Sequence, residues 1–170
     1  SLGLMMRTPG ADADLIRGLL YSEGIIKSES DISIINNFSS YDQVVLSNNV
    51  IFNADDHSRK LTMTSSCGIC GKESISNLIH MHGPQLSNNI FISIETISNA
   101  IGSLRSGQNF FSTTGGTHAC ARIDSSGSLI SIAEDIGRHN AMDKLIGNAL
   151  KKNELPVMEE IVIVSGRASF

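Results

Sequence analysis

The feature that most constrains how this chain folds is its alternation between two hydrophobic periods. Leu15, Ile16, Leu19 and Leu20 recur at helical spacing after the Pro9-Gly10 turn and predict a helix with one apolar face. Asp12 stands where a cap is expected, and Gly24 where such a helix stops. The period then shortens. Residues 31–36 and 43–53 are rich in Ile and Val with polar flanks and predict two or three strands, with Asn48-Asn49 as a tight turn between two of them. Residues 61–66 lead as extended chain into a helix that starts near Cys67 or Gly68, carries Ile75, Leu78 and Ile79, and breaks at Gly83-Pro84. A helix over 94–104 places Ile97, Ile101 and Leu104 on one side and ends at Gly107. Residues 118–124 and 128–133 predict a hairpin over Ser125-Ser126-Gly127. Asp135 opens a helix to about Lys152 whose buried stripe is Ala141, Leu145, Ala149 and Leu150. The apolar run 161–164 reads as a buried central strand. Helices alternate with strands and no internal repeat is present. The expected fold is therefore α/β and layered, a mixed sheet with helices packed on it.

A length of 170 residues accommodates one packed core, so 1–170 is read as a single domain. Aromatic residues are 5% and Trp is absent, so Ile, Leu, Val and Met must build that core. The net charge of −4, without a basic stripe, argues against a nucleic-acid partner while leaving a single nucleotide or pterin phosphate open. No apolar run is long enough to span a bilayer, and no membrane association is expected. Three cysteines are too few, and odd in number, for a secreted disulfide scaffold, so a reducing cytoplasm is the expected location. Ser1 to Gly3 reads as a start already inside a fold. The chain stops just after a strand-like run, and a continuation past Phe170 is expected.

The chemical centre of the sequence is Ser65-Ser66-Cys67-Gly68-Ile69-Cys70-Gly71-Lys72. Two cysteines two residues apart lie close together in a helix or a turn. With a helix beginning here, Cys67 sits at its N-terminal end, where unpaired N–H groups and the dipole favour the thiolate. Lys72 adds positive charge, and the small neighbours leave room for a partner to reach the sulfur. Three other readings compete. Structural zinc wants four ligands, and beyond Cys120 and the scattered His57, His80, His82, His118 and His139 no second clip is visible. A thioredoxin-like centre lacks a clear βαβ context. Buried structural cysteines fit poorly with the glycine and serine neighbours. The pattern favours a functional pair, sulfur or redox chemistry ahead of zinc. Cys120, within a strand-like run, reads instead as a small core residue.

Three further segments carry binding chemistry. Gly115-Gly116-Thr117-His118 offers close backbone approach, N–H groups, a hydroxyl and an imidazole, although by itself the signal is weak and a glycine turn beside a core histidine is the safer reading. Glu134 to Lys144 crowds Arg138, His139 and Asn140 into a helix start, where anions are favoured. Arg138 and His139 are expected to point outward, Arg138 presenting a fork for phosphate or carboxylate. Lys144 shares a side with Asn140, giving a polar stripe turned away from the apolar one. An ordinary solvated helix face explains this crowding less well than a site does. Ser165-Gly166-Arg167 follows the apolar run 161–164, at the carboxyl end of a strand, where α/β sheets place ligands.

Taken in order, these segments resemble the FdhD family, the formate dehydrogenase accessory sulfurtransferases. The resemblance rests on Met6-Arg7-Thr8-Pro9-Gly10 with Gly18-Leu19-Leu20-Tyr21-Ser22-Glu23-Gly24, the Cys67–Cys70 motif, Thr114-Gly115-Gly116-Thr117-His118-Ala119, Glu134-Asp135-Ile136-Gly137-Arg138-His139-Asn140-Ala141 with Asp143-Lys144, and Ser165 to Phe170. It covers essentially the whole chain. It implies a fold similar to the cytidine deaminase-like α/β sandwich, a cytoplasmic homodimer, and sulfur transfer from a cysteine desulfurase to the molybdenum or tungsten cofactor of formate dehydrogenase. The persulfide carrier maps to Cys67 and its partner to Cys70. The transient substrate is the molybdenum bis-pterin guanine dinucleotide, with no permanently bound cofactor or metal. The residues expected to meet it are Gly115, Gly116, Thr117, His118, Arg138, His139, Asn140, Lys144, Ser165, Gly166 and Arg167.

Two departures qualify the resemblance. The family's C-terminal portion, where part of the cofactor contact is expected, lies beyond Phe170. Cys120 occupies a position where the family commonly has a small residue such as Ala. The deaminase likeness is one of fold only: His118-Ala119 is followed by Cys120 rather than the Glu that zinc deaminases need. The rival reading from another class is a zinc-stabilised, cofactor-binding chaperone without covalent sulfur transfer.

Overall fold

The computed structural model describes residues 4–53, 91–157 and 159–167. Cys67, Cys70 and the helix predicted after them lie outside the described residues.

The first helix, α1 (Asp12–Ser22), carries Leu15 and Leu20 as buried residues, as the 3.6-residue period requires. Asp12 is its first residue rather than its cap. The capping position is Ala11, in the left-handed region at φ 54°, and the Asp12 carboxylate accepts from Arg7 Nε at 2.6 Å. Gly24, at φ +70°, stops the helix as predicted, and its N–H donates to the Tyr21 carbonyl. After a 3₁₀ turn at Glu29–Asp31 come β1 (Ile32–Asn37) and β2 (Asp42–Leu46), paired antiparallel as a two-stranded sheet. Their connection runs from Phe38 to Tyr41, whose rings stack at 4.6 Å. Asn48-Asn49 instead turns the chain after β2, where 47–53 carries no strand.

The second half is built around three antiparallel strands. These are β3 (His118–Ile123), β4 (Leu129–Asp135) and β5 (Ile161–Val164), in the order β4-β3-β5. The predicted hairpin is present, with Gly127 at φ +87° in its turn and Asp124 Oδ1 accepting from the Ser126 and Ser128 N–H groups at 2.9 Å. The expectation of a central strand at 161–164 is corrected. Among the described residues β3 is central and β5 flanks it, with Val162 43% exposed.

Two helices cover β3 from opposite sides. On one side α2 (Ile94–Gly107) buries Leu104 against Ala119 and Ala121; its start is capped by Ser93 Oγ, which accepts from the Thr96 N–H at 3.0 Å. Its buried side is Ala100 and Leu104, while Ile97 and Ile101 stay 46% and 41% exposed, so the predicted face is rotated. A short helix, α3 (Asn109–Thr114), returns the chain to β3. On the other side α4 (Arg138–Lys151) packs Ala141 and Leu145 on Cys120. Its stripe of Ala141, Leu145, Ala149 and Leu150 is 0–3% exposed, as predicted, and complete burial of a side chain such as Leu145 is worth about 1.5–3 kcal/mol. Alternation along β3 sorts its small residues to both faces, which lets both helices close on one strand.

The α1–α4 crossing is tighter still. A Cβ at Gly18 would overlap the Asp143 carbonyl, and one at Gly147 would overlap that of Asp14. Leu20, Ile25, Ile26 and Leu150 form the cluster beside it, with Ile32, Val44 and Leu46 of the hairpin packed on that cluster. At the far end of β3, Arg122 is 1% exposed, forks onto Glu160 at 2.6 and 2.7 Å and reaches Glu154 at 2.6 Å, tying the α4–β5 connection to the sheet. Among the described residues no helix is long and apolar enough to cross a membrane.

Candidate functional site

Three chain segments meet at one end of the sheet. The start of β3 pairs His118 with Asp135 at the end of β4, while Cys120 pairs with Val164 at the end of β5. Gly137 turns the chain out of β4 and into α4, so Arg138 and His139 occupy the first turn of that helix beside both strand ends.

Asp135 organises the junction. The expectation that it opens the helix is corrected: it ends β4, is fully buried, and holds the turn from beneath. Its Oδ1 accepts from the Gly137 N–H at 2.9 Å and from Asn140 Nδ2 at 3.0 Å; its Oδ2 accepts from the Thr8 N–H at 3.0 Å and pairs with Lys144 Nζ at 2.7 Å. Asn140 Nδ2 also donates to the Met6 carbonyl at 2.8 Å, and Lys144 Nζ to the Thr8 and Glu134 carbonyls at 2.8 and 3.2 Å. The segment around Thr8 is thereby strapped across the helix start, with Thr8 Oγ1 accepting from the Ile136 N–H at 2.8 Å. Asn140 and Lys144 are 4% and 3% exposed, so the polar stripe predicted to face outward is in fact a buried hub. A buried charge needs this much company, since desolvation must be offset by pairing and hydrogen bonds.

Beside the hub lies an open cavity of about 110 Å³, lined by His118, Ala119, Cys120, Arg138, His139, Met142, Val164, Gly166 and Arg167. Two guanidinium and two imidazole side chains gather around mostly apolar walls. Burial, reinforced by neighbouring Arg138, lowers the His139 pKa and so favours its neutral form. Cys120 is the core residue predicted: it is 2% exposed, and burial, with a smaller contribution from Asp143, pushes its thiol up to about 12. It is an uncharged thiol, not a poised nucleophile.

The cavity brings together His118, Arg138, His139, Gly166 and Arg167 from the predicted set. It does not include Gly115, Gly116, Thr117, Asn140, Lys144 or Ser165. The glycine turn is spent on structure: Gly115, at φ +66°, closes α3 with its N–H donating to the Phe111 carbonyl at 2.7 Å, and the Gly116 N–H donates to Thr114 Oγ1 at 3.2 Å. The N–H groups expected to face a ligand are thus engaged. Thr117 Oγ1 donates to Glu134 Oε2 at 3.0 Å, while the same carboxylate accepts from the Phe110 and Phe111 N–H groups at 2.9 Å and anchors the start of α3. Ser165 continues the β3–β5 pairing, its N–H donating to the Ala119 carbonyl and its Oγ accepting from the Ala119 N–H, both at 2.8 Å. Met142 was missed by the sequence reading. Its signal was its spacing of four from Arg138, which puts both on one helix face.

Fold and site define a mixed α/β protein whose cationic cleft opens at a helix start between strand ends. The FdhD/NarQ family model matches residues 1–170, and the chain belongs to that family. The sulfur carrier protein FdhD of Nocardia farcinica is 34% identical over 177 residues, spanning 100% of this chain and 63% of that protein. The sulfur carrier protein FdhD of Sulfolobus acidocaldarius is 40% identical over 171 residues, spanning 100% and 64%. The chain therefore covers 63–64% of the length of these relatives. A crystal structure from Desulfotalea psychrophila, of a protein proposed to be a formate dehydrogenase accessory protein, superposes with a TM-score of 0.66 at 20% identity, over 95% of this chain and 58% of that one. That likeness is one of fold, and it supports the mixed α/β architecture.

Proposed function

We propose that the protein is a sulfur carrier. In this reading it accepts sulfur from a cysteine desulfurase as a persulfide on Cys67 and delivers it to the molybdenum, or tungsten, bis-pterin guanine dinucleotide that formate dehydrogenase requires. The observation that carries the reading is the family match across all 170 residues, shared with relatives named as sulfur carrier proteins. The cleft supports it, because guanidinium groups beside apolar walls suit a ligand with both phosphates and flat rings.

The steps balance as ordinary thiol–disulfide chemistry. The Cys67 thiolate attacks the outer sulfur of the desulfurase persulfide. The S–S bond of the donor breaks, its cysteine leaves as a thiolate, and Cys67 holds the S–SH group. Cys70 then attacks the inner sulfur, the outer sulfur departs as sulfide toward the cofactor, and the Cys67–Cys70 disulfide that remains is reduced by an external dithiol. The cofactor is substrate here, held by His118, Arg138, His139 and Arg167. Cytoplasmic location and a homodimer belong to the same proposal.

Incubation of the full-length protein with a cysteine desulfurase and free cysteine, followed by mass spectrometry, tests it. The expected result is a gain of one or two sulfurs on the peptide that carries Cys67. An unshifted peptide, with stoichiometric zinc that requires both cysteines, would instead establish the zinc-stabilised chaperone.

A further inference from the structure

The β3–β5 register places one glycine at the cavity floor. Cys120 pairs with Val164 and Ala119 with Ser165, so two more residues of the same antiparallel run bring Gly166 beside His118. Alternation puts His118, Cys120, Val164 and Gly166 on one face of the sheet, and all four line the cavity. Any side chain at 166 would therefore project into it. A Cβ there would stand 3.1 Å from His118 Nδ1 and 3.4 Å from its Cε1. The ring consequently lies with its Nδ1–Cε1 edge against a bare backbone. Gly166 has no positive φ, so its backbone does not demand glycine. A methyl there would instead require the His118 ring to give by a few tenths of an ångström. The strand end is held in place, because Ser165 is tied to Ala119 by two hydrogen bonds of 2.8 Å.

We propose that Gly166 is a positioning residue that fixes the His118 imidazole at the edge of the cavity and keeps the floor beside it open. The proposal rests on the reading that this cavity receives part of the nucleotide-bearing cofactor. It gives Ser165 and Gly166 roles distinct from ligand contact: Ser165 anchors the strand and Gly166 makes room for the ring, while Arg167 lines the cavity.

The test is a double-mutant cycle on the full-length protein with Gly166→Ala, His118→Ala and both together. Binding of guanosine diphosphate is measured by calorimetry, the His118 Hε1 resonance by NMR without ligand, and folding by thermal melting. Displacing the ring from its rotamer is expected to weaken binding about tenfold in Gly166→Ala. The Hε1 resonance should move, and the double variant should bind within about twofold of His118→Ala. If alanine lowers the melting temperature, deleting the ring in the double variant should restore that of His118→Ala. An unmoved Hε1 resonance, or losses that add in the double variant, would overturn the proposal. If His118→Ala binds the nucleotide as the parent does, the cavity reading is wrong. The Hε1 shift in Gly166→Ala then decides the positioning role by itself.

Discussion

Three residues tie the helix start to the strand before it and to the segment around Thr8. Asp135, Asn140 and Lys144 are a carboxylate, an amide and an ammonium that hold one another and a distant strap of backbone below the surface. Removing one member of a buried ion pair strands the other. Lys144→Met is expected to lower the unfolding free energy by about 3–5 kcal/mol in denaturant titration, and the Asp135→Asn, Lys144→Met double variant should recover part of that loss. These residues also show where sequence reading stops. Their identities marked a dense polar motif, but a helical wheel places Asn140 and Lys144 on an outer face. Only the strap around Thr8, more than 120 residues away, turns that face into interior. Cys120 was legible because a small residue in an apolar strand has few other uses. Its uncharged thiol should resist alkylation at pH 8 in the native protein and react on unfolding.

Among the described elements the two helices α1 and α4 cross closely, and the crossing depends on two glycines that no helix-propensity argument would favour. Gly147→Ala forces a methyl into the Asp14 carbonyl, with an expected loss of about 1–3 kcal/mol or more in unfolding free energy, as for other overpacked cores. The same crossing encloses Asp143, whose carboxyl is pushed up to about 7, chiefly by burial; Ser22 Oγ, donating at 2.8 Å, opposes that rise, and Glu23 adds to it. The folded state therefore holds this proton more tightly than the unfolded chain does. The stabilising contribution is complete below about pH 4 and is lost as the pH rises through 7. Asp143→Asn keeps an acceptor for Ser22. It should raise stability at pH 8 by on the order of 2 kcal/mol and change it little at pH 4 in paired denaturation curves. The periodicities predicted α1, α2, α4 and the β3–β4 hairpin because each follows from local spacing and turn residues. The rotated face of α2 and the flanking place of β5 were not legible, since both depend on which strand lies between the helices.

At the scale of the whole molecule, one end of the β4-β3-β5 sheet gathers the candidate site and the other a clasp. Arg122, Glu154 and Glu160 close the far end. At the near end His118, Arg138, His139 and Arg167 surround a cavity whose floor is Cys120, Val164 and Gly166. In the proposed function this cleft receives sulfur carried on Cys67, and that proposal rests on the division of labour between the two cysteines. The most direct measurement follows radiolabelled sulfane sulfur from a desulfurase onto the full-length protein and its Cys67→Ala and Cys70→Ala variants. Label is expected on the parent and on Cys70→Ala, and none on Cys67→Ala. Label retained by Cys67→Ala and lost from Cys70→Ala would contradict the proposal.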